Sequence, residues 1–468
     1  MSPLGFGLWA LGHCGPAPDN RLPAFAFSRR EKSRGGSDDT TRMANGWQIE
    51  DRCPQCGGPV TLNETDRLLA CAYCQVRLYV ATEGVPRYCL PVKPAPVGDI
   101  VMVPYWRVRA QHYRCVPWEL RSALLDLTRL ATPAPGLPGS LGIRPQAVRL
   151  RFAAPSLATR FLPASGPPPL PDEHLDAALS TIEEETHLFE ACVAASTSIV
   201  YAPVRLTRAV FDGVLNRRLA ADAEGWVAAA GSGDEAPPPI RFLATLCPAC
   251  GWQLEAARDS LVLLCVNCRG AWRANHAGLC PVEYSLLDTG GWTPHRHLPF
   301  WRVTARISGL PLDSWADLVR FANLPRVVKA EWRDEPLEFW VPGFKAQPDQ
   351  FLRIAQCVTL ARPAHGDTAI RPGTGPDAPP VDGPLAPVLR ACYPVTLDND
   401  ALAAAVTVLI ASLGQPKTRV FQRLREVSVE VTASHLVYVP LDFNGREYQH
   451  PSLQLTVQKN LLEWGARL

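Results

Sequence analysis

Lysine is scarce in this chain of 468 residues, and neither sign of charge is in clear excess. Of the 47 basic residues only six are lysine, and the formal net charge is +2. A chain so close to neutrality shows no bulk attraction to nucleic acid or to an anionic membrane. Arginine in place of lysine, together with 46 prolines, is typical of GC-rich coding sequences. An isolated arginine is therefore a weak sign of a binding site.

The sequence also lacks the short motifs of common enzymes. It contains no G-x4-G-K-[ST], H-E-x2-H, G-x-S-x-G or G-x-G-x2-G pattern. No apolar run reaches the roughly 18 residues that a membrane-spanning helix needs. The longest candidate, residues 401–413, predicts a buried helix instead. We therefore expect a non-enzymatic protein without a membrane span.

Cysteine is abundant, and eight of the 15 cysteines follow one strict pattern. The spacing C-x2-C, fourteen residues, C-x2-C occurs twice, and each member of the second set lies 194 residues after its counterpart. The eight residues are Cys53, Cys56, Cys71, Cys74, Cys247, Cys250, Cys265 and Cys268. Two C-x2-C turns can present four thiolates to one ion, which is the tetrahedral site that Zn2+ prefers. The pattern predicts two structural zinc ions, although iron also binds four sulfurs.

The remaining seven cysteines are scattered, and we expect them to pack as small apolar residues: Cys14, Cys89, Cys115, Cys192, Cys280, Cys357 and Cys392. Thiolates reserved for metal need a reducing compartment, whereas disulfide frameworks are typical of short secreted chains. The cysteine pattern therefore indicates a cytoplasmic protein.

The first knuckle of each set reads Cys-Pro-x-Cys-Gly, at Cys53–Gly57 and Cys247–Gly251. It resembles the knuckle of the zinc-ribbon family, whose rubredoxin-like folds occur in transcription factors, polymerase subunits and primosomal helicases. The resemblance implies a three-stranded sheet with zinc held between two knuckles. The second knuckles match less fully, because neither Cys74 nor Cys268 is followed directly by glycine. The remaining chain resembles uncharacterised bacterial proteins with similar ribbons, a likeness that supplies no function.

Further landmarks repeat after each cysteine set. Tyr105-Trp106-Arg107 corresponds to Phe300-Trp301-Arg302, with its tryptophan 32 and 33 residues from the last cysteine, and residues 198–204 correspond to 435–441. These matches predict an internal duplication. Each aromatic-Trp-Arg element is interpreted as a core strand with its tryptophan under the ribbon. The alternative is an exposed aromatic and cationic platform for a peptide.

The predicted fold class is α+β and strand-rich, with each half made of a four-cysteine zinc ribbon followed by a mixed β-rich module with a few helices. Helical patterns occur at residues 118–130, 174–194, 313–323, 348–360 and 399–413. The predicted division of the chain is a disordered extension or misassigned start at 1–42 (before Met43), zinc ribbon 1 at 43–86, β-rich module 1 at 87–230, a linker at 231–240, zinc ribbon 2 at 241–278, and β-rich module 2 at 279–468 with a Pro/Gly-rich insertion at 363–387.

A duplicated protein with structural zinc suits a role in assembly or scaffolding, with a protein partner held at two similar surfaces. The alternative is a nucleic-acid-binding accessory factor of the replication or transcription type. The ribbon hairpins argue against it, because each carries a net charge of minus one between its knuckles. The stronger basic candidates lie outside the hairpins, at Arg107, Arg109, Arg149, Arg151, Arg217 and Arg218. The sequence does not indicate an oligomeric state.

Overall fold

A computed structural model describes residues 47–93, 98–142, 148–154, 159–165, 188–231, 233–363 and 385–465. Strands dominate and helices are few, so the predicted α+β class is confirmed. The predicted extension at 1–42 lies outside the described residues, as does most of the predicted insertion at 363–387. Its last residues belong to a helix that begins at Leu385.

In the first half, the described residues form these elements in order: β1 (Gln48–Arg52), β2 (Pro59–Asn63), β3 (Leu68–Ala70), β4 (Arg77–Ala81), β5 (Arg87–Cys89), β6 (Asp99–Cys115), β7 (Leu120–Leu130), β8 (Arg151–Phe152), β9 (Arg160–Phe161), β10 (Phe189–Leu206), β11 (Val210–Asp212), β12 (Arg218–Ala220) and α1 (Ala223–Ala230).

The second half continues with β13 (Arg241–Ala244), β14 (Val262–Leu264), β15 (Ala271–Asn275), β16 (Gly278–Val282), β17 (Tyr284–Leu286), β18 (Arg296–Ser308), α2 (Trp315–Phe321), β19 (Glu338–Pro342), α3 (Pro348–Ala361), α4 (Leu385–Arg390), α5 (Leu402–Leu413), α6 (Lys417–Arg423), β20 (Ser428–Phe443), β21 (Glu447–Gln449), β22 (Thr456–Gln458) and α7 (Lys459–Gly465). Short 3-10 helices lie at Glu331–Arg333, Asn399–Ala401 and Leu424–Glu426.

A long antiparallel strand pair forms the centre of each half. In the first half β6 pairs with β10, β7 lies on the other edge of β6, and β5 runs parallel to β10. In the second half β18 pairs with β20, β19 lies on the other edge of β18, and β17 runs parallel to β20. The β-branched and aromatic residues of these strands suit a pleated surface with buried side chains.

The two strand pairs also share their register. Trp106 lies opposite Ile199 on β10, and Trp301 lies opposite Leu436 on β20. An irregularity interrupts each pair at the same distance from the tryptophan: the regular register ends after Arg109 in β6 and after Thr304 in β18. A one-residue shift in register would turn every side chain of a strand to the other face of the sheet. The shared register therefore means that corresponding side chains of the two strand pairs lie on corresponding faces.

Both tryptophans of the repeated element are core residues. Trp106 is 8% exposed and Trp301 is 5% exposed. The indole N–H of Trp301 donates to the carbonyl of Leu397 at 3.1 Å. The structure therefore favours the core interpretation of these strands over the exposed platform.

The two halves are in contact through a sheet and through side chains. Strand β13 pairs with β4, so the second half completes a sheet of the first ribbon. The side-chain amide of Gln111 donates to the carbonyl of Ala346 at 2.9 Å, and the hydroxyl of Tyr113 donates to that of Pro348 at 3.0 Å. Within the predicted linker, Glu235 forms an ion pair with Arg87 at 2.7 Å. The domain boundaries stay a prediction, but these segments pack together.

Three predicted helices are confirmed as α2, α3 and α5. The helix predicted at 118–130 is wrong, because Leu120–Leu130 is strand β7 and pairs with β6 along its whole length. The helix predicted at 174–194 lies outside the described residues up to 187 and is wrong from Phe189, where β10 begins. In both places, pairing with β6 overrides the local pattern. No helix of the described part is long and apolar enough to cross a membrane.

A pH-dependent stability is expected from His297, which is 2% exposed on β18 opposite Pro440. Burial lowers its pKa to about 4, below the value of about 6.5 expected in the unfolded chain. Between these values the unfolded state binds more protons, so the free energy of unfolding falls as the pH falls, by roughly 3 kcal/mol in total.

The matched variant is His297→Met, because Met102 lies opposite Pro203 at the corresponding place in β6. Urea unfolding of both proteins at pH 7 and about pH 4.5 is the measurement, and other effects of acid cancel in the comparison. The variant should lose less stability than the parent protein on acidification. Equal losses would show that His297 is not the acid-sensitive group.

Candidate metal centres

All four cysteine knuckles have the same backbone conformation. In the first, the N–H of Gly57 donates to the carbonyl of Cys53, and the N–H of Cys53 donates to the carbonyl of Gly58, both at 2.8 Å. The same two hydrogen bonds recur in the turns that begin at Cys71, Cys247 and Cys265, at 2.8–3.0 Å. Backbone hydrogen bonds within each knuckle therefore hold the turn in shape independently of a metal ion.

The residue directly after the second cysteine has a positive φ in every knuckle. It is Gly57 or Gly251 in the first knuckles, with φ of 73° and 72°, but Gln75 or Arg269 in the second, with φ of 63° and 65°. The sequence led us to connect this turn with glycine. The structure shows that non-glycine residues adopt the same left-handed conformation, at a cost of about 1–2 kcal/mol each.

A pair of substitutions tests this strain. Gly57→Ala is expected to lower the free energy of unfolding of the first ribbon by about 1 kcal/mol or more, since a Cβ there meets no atom within 4 Å and the cost is purely conformational. Gln75→Gly, at the corresponding position of the next knuckle, is expected to raise the free energy of unfolding. Urea unfolding of the metal-loaded variants measures both, and shifts of the same sign would contradict the interpretation.

The knuckles bring four sulfur atoms together in each half. The first metal site consists of Cys53, Cys56, Cys71 and Cys74, and the second metal site of Cys247, Cys250, Cys265 and Cys268; within each, all four sulfurs lie within 4.8 Å of one another. Two sulfur pairs are 3.6 and 3.7 Å apart in the first site, and two are 3.4 and 3.5 Å apart in the second. Four thiolates around Zn2+ at about 2.3 Å would be about 3.8 Å apart. Each site can therefore hold a metal ion.

Backbone N–H groups stabilise negative charge at these sulfurs. The N–H of Cys74 lowers the pKa of the Cys71 thiol, whereas the pKa of Cys74 is raised despite the N–H of Val76, because burial and the neighbouring sulfurs oppose a second charge. In the second metal site the N–H of Cys268 donates to the sulfur of Cys265 at 3.5 Å. Metal ligation requires thiolates, so these donors favour the ligating form.

A buried indole also fits a charged sulfur in the second metal site. The Nε1 of Trp272 is buried and has no hydrogen-bond partner among the described residues. A Cβ placed on Gly270 would lie 3.0 Å from this nitrogen and 3.5 Å from the sulfur of Cys268, so both atoms border one small space. A metal-bound thiolate is an acceptor that such a donor can use. The surroundings of the four cysteines, and not only the cysteines themselves, therefore suit a bound metal ion in the second site.

The ribbon sheets agree with the resemblance in one half and depart from it in the other. Strands β14, β15 and β16 form a three-stranded sheet in the second ribbon. In the first ribbon β1 pairs with β2, while β3 and β4 take their third strand, β13, from the second half. The carbonyl of Arg258 also accepts from the N–H groups of Arg67 and Leu68, at 2.6 and 2.8 Å. The two ribbons therefore share a boundary.

A buried ion pair anchors the first ribbon to the long strand β6. Arg107 is 2% exposed and contacts Glu64 twice, at 3.0 and 3.1 Å, and also binds Asp126. Arg109 donates to the same Glu64 side chain at 2.8 Å, and the guanidinium of Arg107 lies 4.1 Å from the centre of the Trp47 ring. In the sequence Glu64 counts toward the net charge of the first hairpin, whereas the structure shows its charge paired with Arg107 and Arg109 inside the protein.

The basic residues predicted as nucleic-acid candidates are not gathered into one free surface. Arg107 and Arg109 are occupied by Glu64, and Arg149 forms an ion pair with Glu50 at 3.4 Å. Arg151, Arg217 and Arg218 are exposed, but Arg151 on β8 and Arg218 on β12 lie at opposite ends of one sheet. The described structure gives no further support to that alternative.

The scattered cysteines do not join the metal sites in the part of the chain that the structure describes; Cys14 lies outside it. Burial raises the pKa of both Cys89 and Cys115 to about 12, as expected for small apolar residues. The sulfur of Cys280 accepts a hydrogen bond from the Asn275 amide at 3.4 Å.

No protein-family model, no curated protein and no solved structure matches this chain. The two metal sites and their surroundings therefore carry the functional argument alone.

Proposed function

We propose that this chain is a non-enzymatic zinc-binding protein that acts in assembly or scaffolding, with two structural zinc ions in its metal sites. The observation that carries the proposal is the closure of both sites by four cysteines each. A closed site leaves no coordination position for substrate or water, so its metal stabilises structure. Zinc is preferred to iron for this role, and a reducing compartment such as the cytoplasm suits the eight thiols.

We further propose that the two halves descend from one duplicated unit. The matched registers of β6 with β10 and of β18 with β20 support this, as do the parallel strands β5 and β17 at their edges. Each half also ends in a short hairpin followed by a helix, α1 or α7. Duplication gives one chain two similar surfaces, which raises avidity for a repeated partner.

The surfaces that best suit a protein partner are the tips of the two ribbons. Tyr73 is 67% exposed and its ring lies over Gly58, while Trp252, at the place of Gly58 in the second ribbon, is 54% exposed. Each metal site thus has an exposed aromatic ring beside its first knuckle. In the first site the ring comes from the second knuckle, and in the second site it comes from the residue that follows the first knuckle. Aromatic rings on a rigid support are effective contact residues at interfaces.

Metal analysis of the purified protein tests the first part of the proposal. Two zinc ions per chain are expected by elemental mass spectrometry, and the eight thiols should react with an alkylating agent more slowly in the metal-loaded protein than after chelation. Protein free of metal with eight reactive thiols would overturn the zinc assignment, and two iron atoms per chain would replace it.

Affinity capture from the native cell tests the second part. The double variant Tyr73→Ala/Trp252→Ala should lose partner proteins that the parent retains, with unchanged metal content and thermal stability. Trp118→Ala is the matched control, because Trp118 is 73% exposed but lies at the turn between β6 and β7. Unchanged capture by the double variant would reject the ribbon tips as the interface. Salt-sensitive retention on heparin would favour the nucleic-acid alternative.

A further inference from the structure

The two metal sites differ in how far solvent reaches their sulfurs. In the first site Cys56 and Cys74 are exposed, and only Cys53 and Cys71 are buried. In the second site three cysteines are buried and Cys250 is half-buried. Reactivity of a thiolate with oxidants depends on its exposure, so ligands of the same type have different chemical access here.

Packing explains the difference. The second site lies in an apolar cluster that includes Leu254, Leu263 and Trp272, and the first half adds Leu68 and Tyr79 to it. The corresponding cluster of the first site includes Cys53 and Cys71 but neither of the exposed pair. The second site therefore receives cover from the first half, while the first site keeps two sulfurs in solvent.

The environment of the thiolates differs as well. Trp272 on β15 pairs with Leu263, and Leu78 on β4 pairs with Leu69 in the same arrangement. Thus the second site has a buried N–H donor beside Cys268 where the first has an aliphatic side chain. A hydrogen bond to a ligating sulfur and the exclusion of water both protect a metal site.

We propose that the first metal site is an oxidative modification site: oxidants of the peroxide class convert Cys56 and Cys74 to a disulfide and release the bound ion, while the second site keeps its ion. This inference rests on the metal-binding function proposed above. It makes the first ribbon responsive to oxidants and the second a permanent structural element.

The chemistry balances with the peroxide as the only added oxidant. One thiolate attacks the peroxide O–O bond and, with one proton taken up, gives a sulfenic acid and water. The second thiolate attacks the sulfenic sulfur, forms the S–S bond and, with another proton, releases a second water. The two sulfurs lie within 4.8 Å of each other in the site and close to about 2.05 Å in the disulfide. The metal leaves as a divalent cation without a change of oxidation state.

The experiment treats the zinc-loaded full chain with hydrogen peroxide, follows free zinc with a chromogenic chelator and maps disulfides by mass spectrometry. Release of one of the two ions, with a Cys56–Cys74 disulfide and an unmodified second set, is the expected result. Parallel release of both ions, earlier oxidation of the second set, or a different disulfide would overturn the inference but leave the zinc function standing. Absence of zinc from the starting protein would overturn both.

Two variants test the protection of the second site. Trp272→Leu supplies the residue that the first site has at this place, and it should raise the rate of release of the second ion about tenfold. Trp272→Phe keeps an aromatic shield without the N–H donor, and its rate should lie between those of the parent and Trp272→Leu. Circular dichroism establishes that each variant is folded. Parent-like rates in both folded variants would contradict the role of Trp272.

Discussion

Removal of the metal ions is expected to unfold both ribbons and to open the sheet that they share. Binding of zinc to four thiolates contributes on the order of 10 kcal/mol to a small ribbon, which has too little core to fold alone. The strand pair of the second half should persist, because few ribbon residues belong to its core. The core around β6 and β10 includes ribbon residues such as Trp47 and Leu69, so we expect this part of the first half to loosen. The effect is the largest that we expect from any single treatment of this protein.

Limited proteolysis with trypsin, with and without a strong chelator, provides the measurement. Cleavage after Arg258 is informative, because its side chain is already 67% exposed while its carbonyl is held by the first ribbon. Cys265→Ser should reproduce the effect at the second site. Cys357→Ser is the control, since Cys357 is half-buried and donates only to the carbonyls of Leu453 and Gln454 among the described residues. Equal cleavage of loaded and chelated protein would show that the ribbons fold without metal.

Truncation of Arg107 should destabilise the protein by about 3–5 kcal/mol, the range seen when one member of a buried ion pair is removed. Arg107→Ala leaves Glu64, which is 7% exposed, without its main partner, and it also removes the cation from the Trp47 ring. Of the hydrogen bonds that join the Glu64 side chain to β6, only the one from Arg109 then remains.

Arg302→Ala is the matched control, because Arg302 follows the second tryptophan as Arg107 follows the first. Its ion pair with Glu338 is longer, at 3.7 Å, and both side chains are partly exposed. We expect it to cost at most about 1 kcal/mol. Urea unfolding of the two variants gives the comparison, and equal costs would mean that burial of the Arg107 pair contributes nothing.

The cysteines that form the two metal sites could be predicted from the sequence, because each knuckle is built from residues that are close together in the chain. Cysteines three residues apart on one tight turn must lie close together, whatever the rest of the chain does. The fold class was equally accessible from alternating strands bounded by proline and glycine. Strands such as β18 are recognisable from their β-branched and aromatic residues alone.

Relations between distant residues could not be predicted in the same way. Glu64 and Arg107 are 43 residues apart, and nothing in either neighbourhood indicates the other. The helix predicted over β7 failed for a related reason, since its leucines are compatible with either period until β6 provides a partner. The pairing of β13, from the second half, with β4 of the first ribbon likewise depends on tertiary contacts.

The pairing of β13 with β4 has a consequence for synthesis on the ribosome. Strand β4 stays an open edge until residues 241–244 have emerged, so the first ribbon waits for a long stretch of further synthesis before its sheet is complete. Any shortened chain that stops before Arg241 would present β4 to other nascent chains, and open edges of this kind promote self-association. Expression of the amino-terminal half by itself is therefore expected to give aggregates, which a supplied copy of the missing segment should reduce.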